Sequence, residues 1–413
     1  MLNIGCEDTK EEVVDNTIET PLEYVFESRF TDGESSVSYS GQVVRNLLIN
    51  DIKIQCGTDA GNGDASTLLS MMANDNASRT ILTTTNPASM QTTYQSISSS
   101  HLNDRLDAVA DYVLPGFESN AGNAINGWVQ ELAANGKTRA NGVRLDQMIQ
   151  KTLWGAVSYW QGTSKYMSKI PTDDNSMSDE GDPYTAMEHH WDESFGYFGA
   201  ARDYNTGYSD DTDRKTDPYN DSNGDNSIDF ESEYNIGWAV TAAKRDLVEG
   251  VSVDYDFTKT IFDAYLEGRT LIYNQAPLEE ILIQRDIILN TWEKVVAAVT
   301  IHYVNDVAAD IAAIIAAGDA NVTPGSDATG DYENHWGEMR GYANGLMYND
   351  FKVIEDVNLN RIYTLMGTAP VYPDGDFDEL QAYHDAMVHP TSGEVRAILK
   401  ASYGFDDEHM ANW

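Results

Sequence analysis

The sequence predicts a mainly α fold built as two helical bundles related by internal duplication. Three observations carry that expectation. From Tyr39 onward, apolar residues recur at three- and four-residue spacing with few alternating runs, the period of amphipathic helices. The segments EHHWDESFGY (188–197) and ENHWGEMRGY (333–342) are identical at six of ten positions at a constant offset of 145. Each is preceded by the same parts, a long helix and then a polar loop, the order expected of a repeated unit. An amphipathic helix must bury its stripe against others, so two bundles about a pseudo-twofold axis are the simplest arrangement.

GQVVRNLLINDIK (41–53) follows a Ser-rich cap and opens the first bundle, and NAINGWVQELAANGK (123–137) stops at Asn-Gly. RLDQMIQKTLWGAVSYWQGTSKYMSKI (144–170) reads as one long amphipathic helix, followed by the polar PTDDNSMSDEGDP and the first HW segment. PLEEILIQRDIILNTWEKVVAAVTIHYVNDVAADIAAIIAAG (277–318) starts with Pro in its first turn and ends at Gly, as one very long helix or two in series. It leads through DANVTPGSDATGD into the second HW segment. Pro370, Pro373 and Pro390 then punctuate short helical stretches such as EVRAILKASYG. Five regions result: a tether and flexible N-terminus over 1–35, a first bundle over 36–205, an acidic loop over 206–233, a second bundle over 234–356 and a helical appendage over 357–413.

With 413 residues the chain has length for a sizeable core and more than one globular unit. Its 67 Asp and Glu against 26 Lys and Arg give a formal charge of −41, which repels phosphate backbones and anionic lipid. Nucleic acid is thereby excluded as a partner, whereas bound cations, a salty exterior or plain solubility all suit the charge. Only Cys6 and Cys56 are present, too few for a disulfide framework. The most apolar stretch, 294–315, is interrupted by His302, Asn305, Asp306 and Asp310, so no membrane span is expected.

Within the repeat, residues three apart share a helix face, so His190 projects with Glu193 and with Tyr197 one turn further on. His335, Glu338 and Tyr342 do likewise. An imidazole beside a carboxylate supplies two ligands suited to iron, zinc or manganese, or else a hydrogen-bonded structural pair. Trp191, Trp336, Tyr197 and Tyr342 are the expected walls of the site. The pairs make either one site shared across the pseudo-axis or two equivalent sites.

DSNGDNSIDFESE (221–233) has the spacing of an EF-hand-like calcium loop. Asp221, Asn223 and Asp225, the backbone of Ser227, and Asp229 offer oxygens at alternate positions, with Ile228 as the apolar pin. Asn226 stands where Gly is usual and tolerates the left-handed conformation. Position twelve is Ser232, so Glu231 or Glu233 must supply the last carboxylate. Ten carboxylates lie between Asp203 and Glu233, and a structural calcium ion would offset their repulsion.

The N-terminal MLNIGCEDTKEEVVDN resembles the tail of a bacterial lipoprotein signal, with Gly5 directly before Cys6. That resemblance implies acylation of Cys6 and a tether outside the cytoplasm, periplasmic or on the outer membrane and cell surface, with membrane contact only through the anchor. HHWDESFGYFGAARD (189–203), SEYNIGWAVTAAKRD (232–246) and VSYSGQVVRNLLINDIK (37–53) together resemble the imelysin-like family and, within it, a branch of uncharacterised bacterial lipoproteins. The resemblance implies a duplicated pair of helical bundles, an iron-regulated exported protein, and a family HxxE motif that falls on His190 and Glu193. Glu188 replaces the Gly usual two places before the His, and His335 with Glu338 forms a second complete HxxE.

The family is named for a metallopeptidase activity, yet neither HExxH nor HxxEH occurs, and adjacent His189 and His190 point about 100° apart on a helix. No catalytic residue is assigned. The expected function is an exported, lipid-anchored metal-binding protein that takes iron or haem, alone or within an iron-transport or surface complex, and is stiffened by calcium. For haem, a His would be the axial ligand in an aromatic cleft. A metallopeptidase and a calcium-stiffened surface protein that binds a partner are the alternatives.

Overall fold

Those apolar periods become sixteen α-helices in the computed structural model, which describes residues 17–252, 255–389 and 394–413. Helices α1 (Ser40–Asp59), α2 (Ser66–Ala73), α3 (Tyr94–Ile97) and α4 (Asn103–Asp107) lead to a small antiparallel strand pair, β1 (Val113–Leu114) with β2 (Ser119–Asn120). Val113 faces Asn120 and Leu114 faces Ser119. Next come α5 (Ala121–Asn135) and α6 (Leu145–Leu153), which runs on as π-helix over Trp154–Tyr159 and Gln161–Tyr166. They are followed by α7 (Ala186–Phe198), α8 (Asp211–Thr216), α9 (Trp238–Asp246), α10 (Phe257–Tyr273) and α11 (Leu278–Ala317). The set is completed by α12 (Gly330–Gly345), α13 (Asp356–Met366), α14 (Asp378–Val388), α15 (Val395–Tyr403) and α16 (Asp407–Asn412). The protein is mainly α.

The segment 277–318 forms one helix of 40 residues, roughly 60 Å long at 1.5 Å per residue. Helix α11 is the axis of the molecule: α9, α10, α12, α14, α15 and α16 all pack on it. Its Trp292, Val296, Ile301 and Ile311 are fully buried. By length and composition it is the one described helix that could cross a membrane, and half of its most apolar window is buried inside the protein. A single hydrophobic cluster runs from Tyr24 to Trp413, so the regions expected as separate bundles share one core.

The rod formed by α6 and its π continuation serves both HW helices, with α12 packed on its first part and α7 on its last. Two glycines in the π-helical part permit close approach. A Cβ on Gly155 would lie 2.7 Å from Cα of Gly345, and one on Gly162 would lie 2.6 Å from the Trp292 ring. The same device sits inside the repeat: a Cβ on Gly196 would meet that of Tyr39 at 2.7 Å, and one on Gly341 that of Lys151 at 2.6 Å.

The N-terminal segment, expected to be flexible through residue 35, is packed well before that point. Tyr24 and Phe26 are buried, and the Tyr24 N–H donates to the Arg202 carbonyl at 2.8 Å. The cause is a buried ion cluster: Arg269 on α10 donates to Glu188 (3.0 Å) and Asp192 (2.9 Å) on α7 and to Ser36 Oγ (2.7 Å), while Tyr24 OH donates to Asp192 (2.7 Å). A fully buried guanidinium is tolerable only when so paired. At the other end, Glu293 on α11 accepts hydrogen bonds from the backbone of Val353 and Ile354, from Asn349 and from Tyr403 OH, clamping the appendage to the axis.

Gly341→Ala should cost about 1–3 kcal/mol by forcing α12 off α6, whereas Gly127→Ala, mid-helix in α5 with nothing within 4 Å, should stabilise by about 0.5–1 kcal/mol. Urea unfolding midpoints of the two variants measure both.

Candidate functional site

Each letter of the repeated segment has a distinct job. Glu188 closes a capping box with Thr185 at the start of α7: its carboxylate accepts the Thr185 N–H at 2.8 Å while Thr185 Oγ accepts the Glu188 N–H at 3.2 Å. Its counterpart Glu333 gathers the entry to α12, accepting from Gly325 N–H (2.7 Å), Thr329 Oγ (3.2 Å) and Tyr372 OH (2.9 Å). Trp191 and Trp336, expected as site walls, belong to the core instead. Both are fully buried, donating to the Tyr265 carbonyl (3.0 Å) and to Tyr383 OH (2.8 Å). A residue next to the His is turned about 100° from it, which is why the Trp points inward.

The His, the second Glu and the Tyr meet partners from the preceding helical stretch and its exit, and from neighbouring helices. In the first cluster, His190 Nδ1 pairs with Asp173 at 2.7 Å and Nε2 lies 2.7 Å from Lys169 Nζ. The Tyr166 ring stacks on His190 (5.7 Å) and on Tyr197 (6.1 Å), and Lys169 sits over Tyr166 at 5.7 Å. Glu193 accepts from Gln42 at 2.8 Å, with His189 Nε2 at 3.9 Å. Arg45 donates to Tyr197 OH at 3.3 Å.

The second cluster has the same plan. His335 Nδ1 pairs with Asp310 at 2.7 Å. Tyr303 stacks on Tyr342 (5.7 Å, 11° between planes), lies 6.2 Å from His335, and donates its hydroxyl to Glu338 at 3.1 Å. Lys151 is 3.5 Å from Glu338 and sits over the Tyr342 ring at 5.3 Å. The difference lies at the imidazole: among the described residues His335 Nε2 has no hydrogen-bond partner, whereas both nitrogens of His190 are engaged.

Neither His lies against the Glu of its own HxxE, and the two clusters have no partner residue in common. The sequence reading had His190, Glu193, His335 and Glu338 either in one site or in two, and the helices separate them into two. Asp173 and Asp310, Tyr166 and Tyr303 were not singled out from the sequence. A signal for them exists: Tyr166 and Asp173 are seven apart, as are Tyr303 and Asp310, at a constant offset of 137 rather than 145.

The hydrogen bond to Asp310 raises the His335 pKa above its ordinary value despite partial burial. Burial, then the neighbouring Tyr342 and Glu338, drive the Tyr303 hydroxyl up. Nearby His302 is pushed the other way, to about 3, by burial and by the Arg245 charge.

In the loop 221–233 the carboxylates organise the backbone. Asp221 accepts N–H bonds from Gly224, Asp225 and Asn226, Asn223 from Asp225, and Asp225 from Ser227. Asn226 is left-handed at φ 66°, and buried Ile228 exchanges backbone bonds with Ala88 (3.1 Å) and Met90 (2.8 Å). Asp229 is taken by Gln91 (2.6 Å) and Ser232 (2.7 Å), and buried Glu233 by Ser222, Asn223 and Asp229. Burial beside Asp229 raises the pKa of Glu231. Among the described residues no group of three or more His, Cys, Asp or Glu is arranged to hold a metal ion as it stands. Cys6 lies outside the described residues.

A mainly α protein carrying two like-built His–Asp–Tyr–Tyr–Glu clusters is the class that fold and site define. Residues 21–323 match the family described as a domain of unknown function (DUF4856), and the chain belongs to that family. The match contains the first cluster together with Tyr303 and Asp310 and ends before α12. None of the curated proteins and none of the solved structures matches the chain.

Asp310→Asn should bring the His335 pKa down toward 6.5, read from its ring protons by NMR. Because the pair raises the folded-state value, its stabilisation is complete below about pH 6.5 and fades as pH rises through the folded pKa; the variant should lose that pH dependence.

Proposed function

We propose that the chain is an exported, lipid-anchored binding protein of the imelysin-like kind that handles iron, with its two clusters related by internal duplication. The observation that carries this reading is the imidazole of His335, held by Asp310 through Nδ1 and left without a hydrogen-bond partner at Nε2, in the same cluster as the Tyr303–Glu338 pair. Metal-ligating histidines commonly give their other ring nitrogen to a carboxylate in this way, which fixes tautomer and orientation. Imidazole, carboxylate and phenol oxygen together suit iron. They leave its shell incomplete, so the remaining positions fall to water or to donors carried in with the ion. At the first cluster Lys169 must leave His190 Nε2 before a metal can take it, which makes His335 the primary ligand.

In the same reading the 221–233 loop binds calcium structurally through Asp221, Asn223, Asp225, the Ser227 backbone and Asp229, with Glu231 or Glu233 released to complete the shell. The left-handed Asn226 and the pinned Ile228 support this role.

Metal analysis of protein purified without chelator, followed by iron titration of wild type and of a His190→Ala, His335→Ala double variant, tests the iron site. Bound iron in wild type and its loss in the variant, with the helical circular dichroism of the apo-proteins unchanged, is the expected result. Unchanged stoichiometry and affinity would remove these histidines from the site, and zinc in place of iron would point to the metallopeptidase. For calcium, a chelator should lower the melting temperature by several degrees, with recovery on adding calcium but not magnesium; no shift on chelation counts against the loop.

A further inference from the structure

Beside the second cluster a cleft of about 220 Å³ opens along the face of α9, lined by Lys151, Asn235, Gly237, Thr241, Lys244 and Tyr342 among others. Its lining contains two lysines and no carboxylate, in a chain whose acidic residues outnumber its basic ones by 67 to 26. Two further features make it a cradle of donors. The N-terminus of α9 opens onto it at Gly237, and no side chain caps that end, so the first N–H groups of the helix and its dipole face the cleft. Asn235 is 1 % exposed, its Oδ1 is spent on the Ala201 N–H at 2.7 Å, and its Nδ2 is buried without a hydrogen-bond partner. A buried amide donor left unmade costs about 1–3 kcal/mol, which a ligand acceptor would recover.

We propose that this cleft is a binding site for a small oxyanion, a phosphate or a compact carboxylate, held by Lys244 and Lys151, the Asn235 amide and the N-terminal N–H groups of α9. The volume admits an inorganic anion or a short organic acid. Glu338, 3.5 Å from Lys151, offsets part of one cation, which leaves Lys244 as the principal charge. Dense surroundings, and then the neighbouring charges of Lys151, Arg245 and Lys215, hold Lys244 below its ordinary pKa; an anion would relieve that repulsion. The site does not depend on iron reaching His335.

Calorimetric titration of the full chain with inorganic phosphate and, separately, with malonate, in chloride buffer without added metal, tests the proposal and separates the two sources. Saturable one-to-one binding of at least one anion is expected, weakened about tenfold or more in Lys244→Gln, as for loss of a charge-assisted hydrogen bond. Lys244 is solvent-facing, so that variant should fold as wild type does. Asn235→Asp, which places a carboxylate among the donors, should abolish binding. Absence of saturable binding by both anions, or a Lys244→Gln protein that binds as tightly as wild type, would overturn it.

Discussion

Arg269 has no exposure and three partners it cannot do without. Its guanidinium is the point where α10, α7 and the N-terminal segment are joined, through Glu188, Asp192 and Ser36. Taking one carboxylate away would strand a buried charge at a cost of about 3–5 kcal/mol, so the three elements stand or fall together. Glu188 also caps α7. The same residue that starts the helix therefore anchors it sideways, and the face carrying His190, Glu193 and Tyr197 is presented at a fixed angle to the end of the π rod. Without that anchor, Tyr166 and Asp173 would have no defined partner across the gap.

The repeated segment spends its letters economically. One face of each helix is buried by Trp and lets a neighbour in at Gly; the other gathers His, Glu and Tyr against a Tyr from the preceding helical stretch and an Asp seven residues after that Tyr. The clusters then diverge in their cations. Lys169 closes His190, while Lys151 leans on Glu338 and leaves His335 open. One plan thus yields an internally saturated arrangement and an unsaturated one, and the unsaturated one adjoins the cleft whose lining has no acid.

Much of this was legible in the sequence, because helical period is a local property. The spans of α5, α6 and α11, and the pairing of residues 188–197 with 333–342, follow from spacing alone. Left-handed Asn226 and buried Ile228 also follow, since loop conformation is set by near neighbours. Directions across the molecule were harder. Adjacency to a histidine suggests Trp191 and Trp336 as walls, but the turn of a helix sends adjacent side chains apart. Asp173 and Asp310 lie outside the repeated segment, where a different offset applies, so the repeat itself does not report them. The packed stretch from Tyr24 to Ser36 carries no helical period at all; its order comes from Arg269, more than two hundred residues away, which no local pattern can report.

The π-helical stretch has a further consequence. Its Gly155 rests against Gly345 and its Gly162 against Trp292, so two neighbours fix its register at points seven residues apart. Solvated surface loops that hold no cluster residue can lengthen or shorten as relatives diverge, because water solvates whatever is added. Between 155 and 162 a single inserted or deleted codon would slide a side chain into one contact or the other and rotate Tyr166 away from His190. That interval should therefore keep its length across descendants of this chain while the loops around it drift.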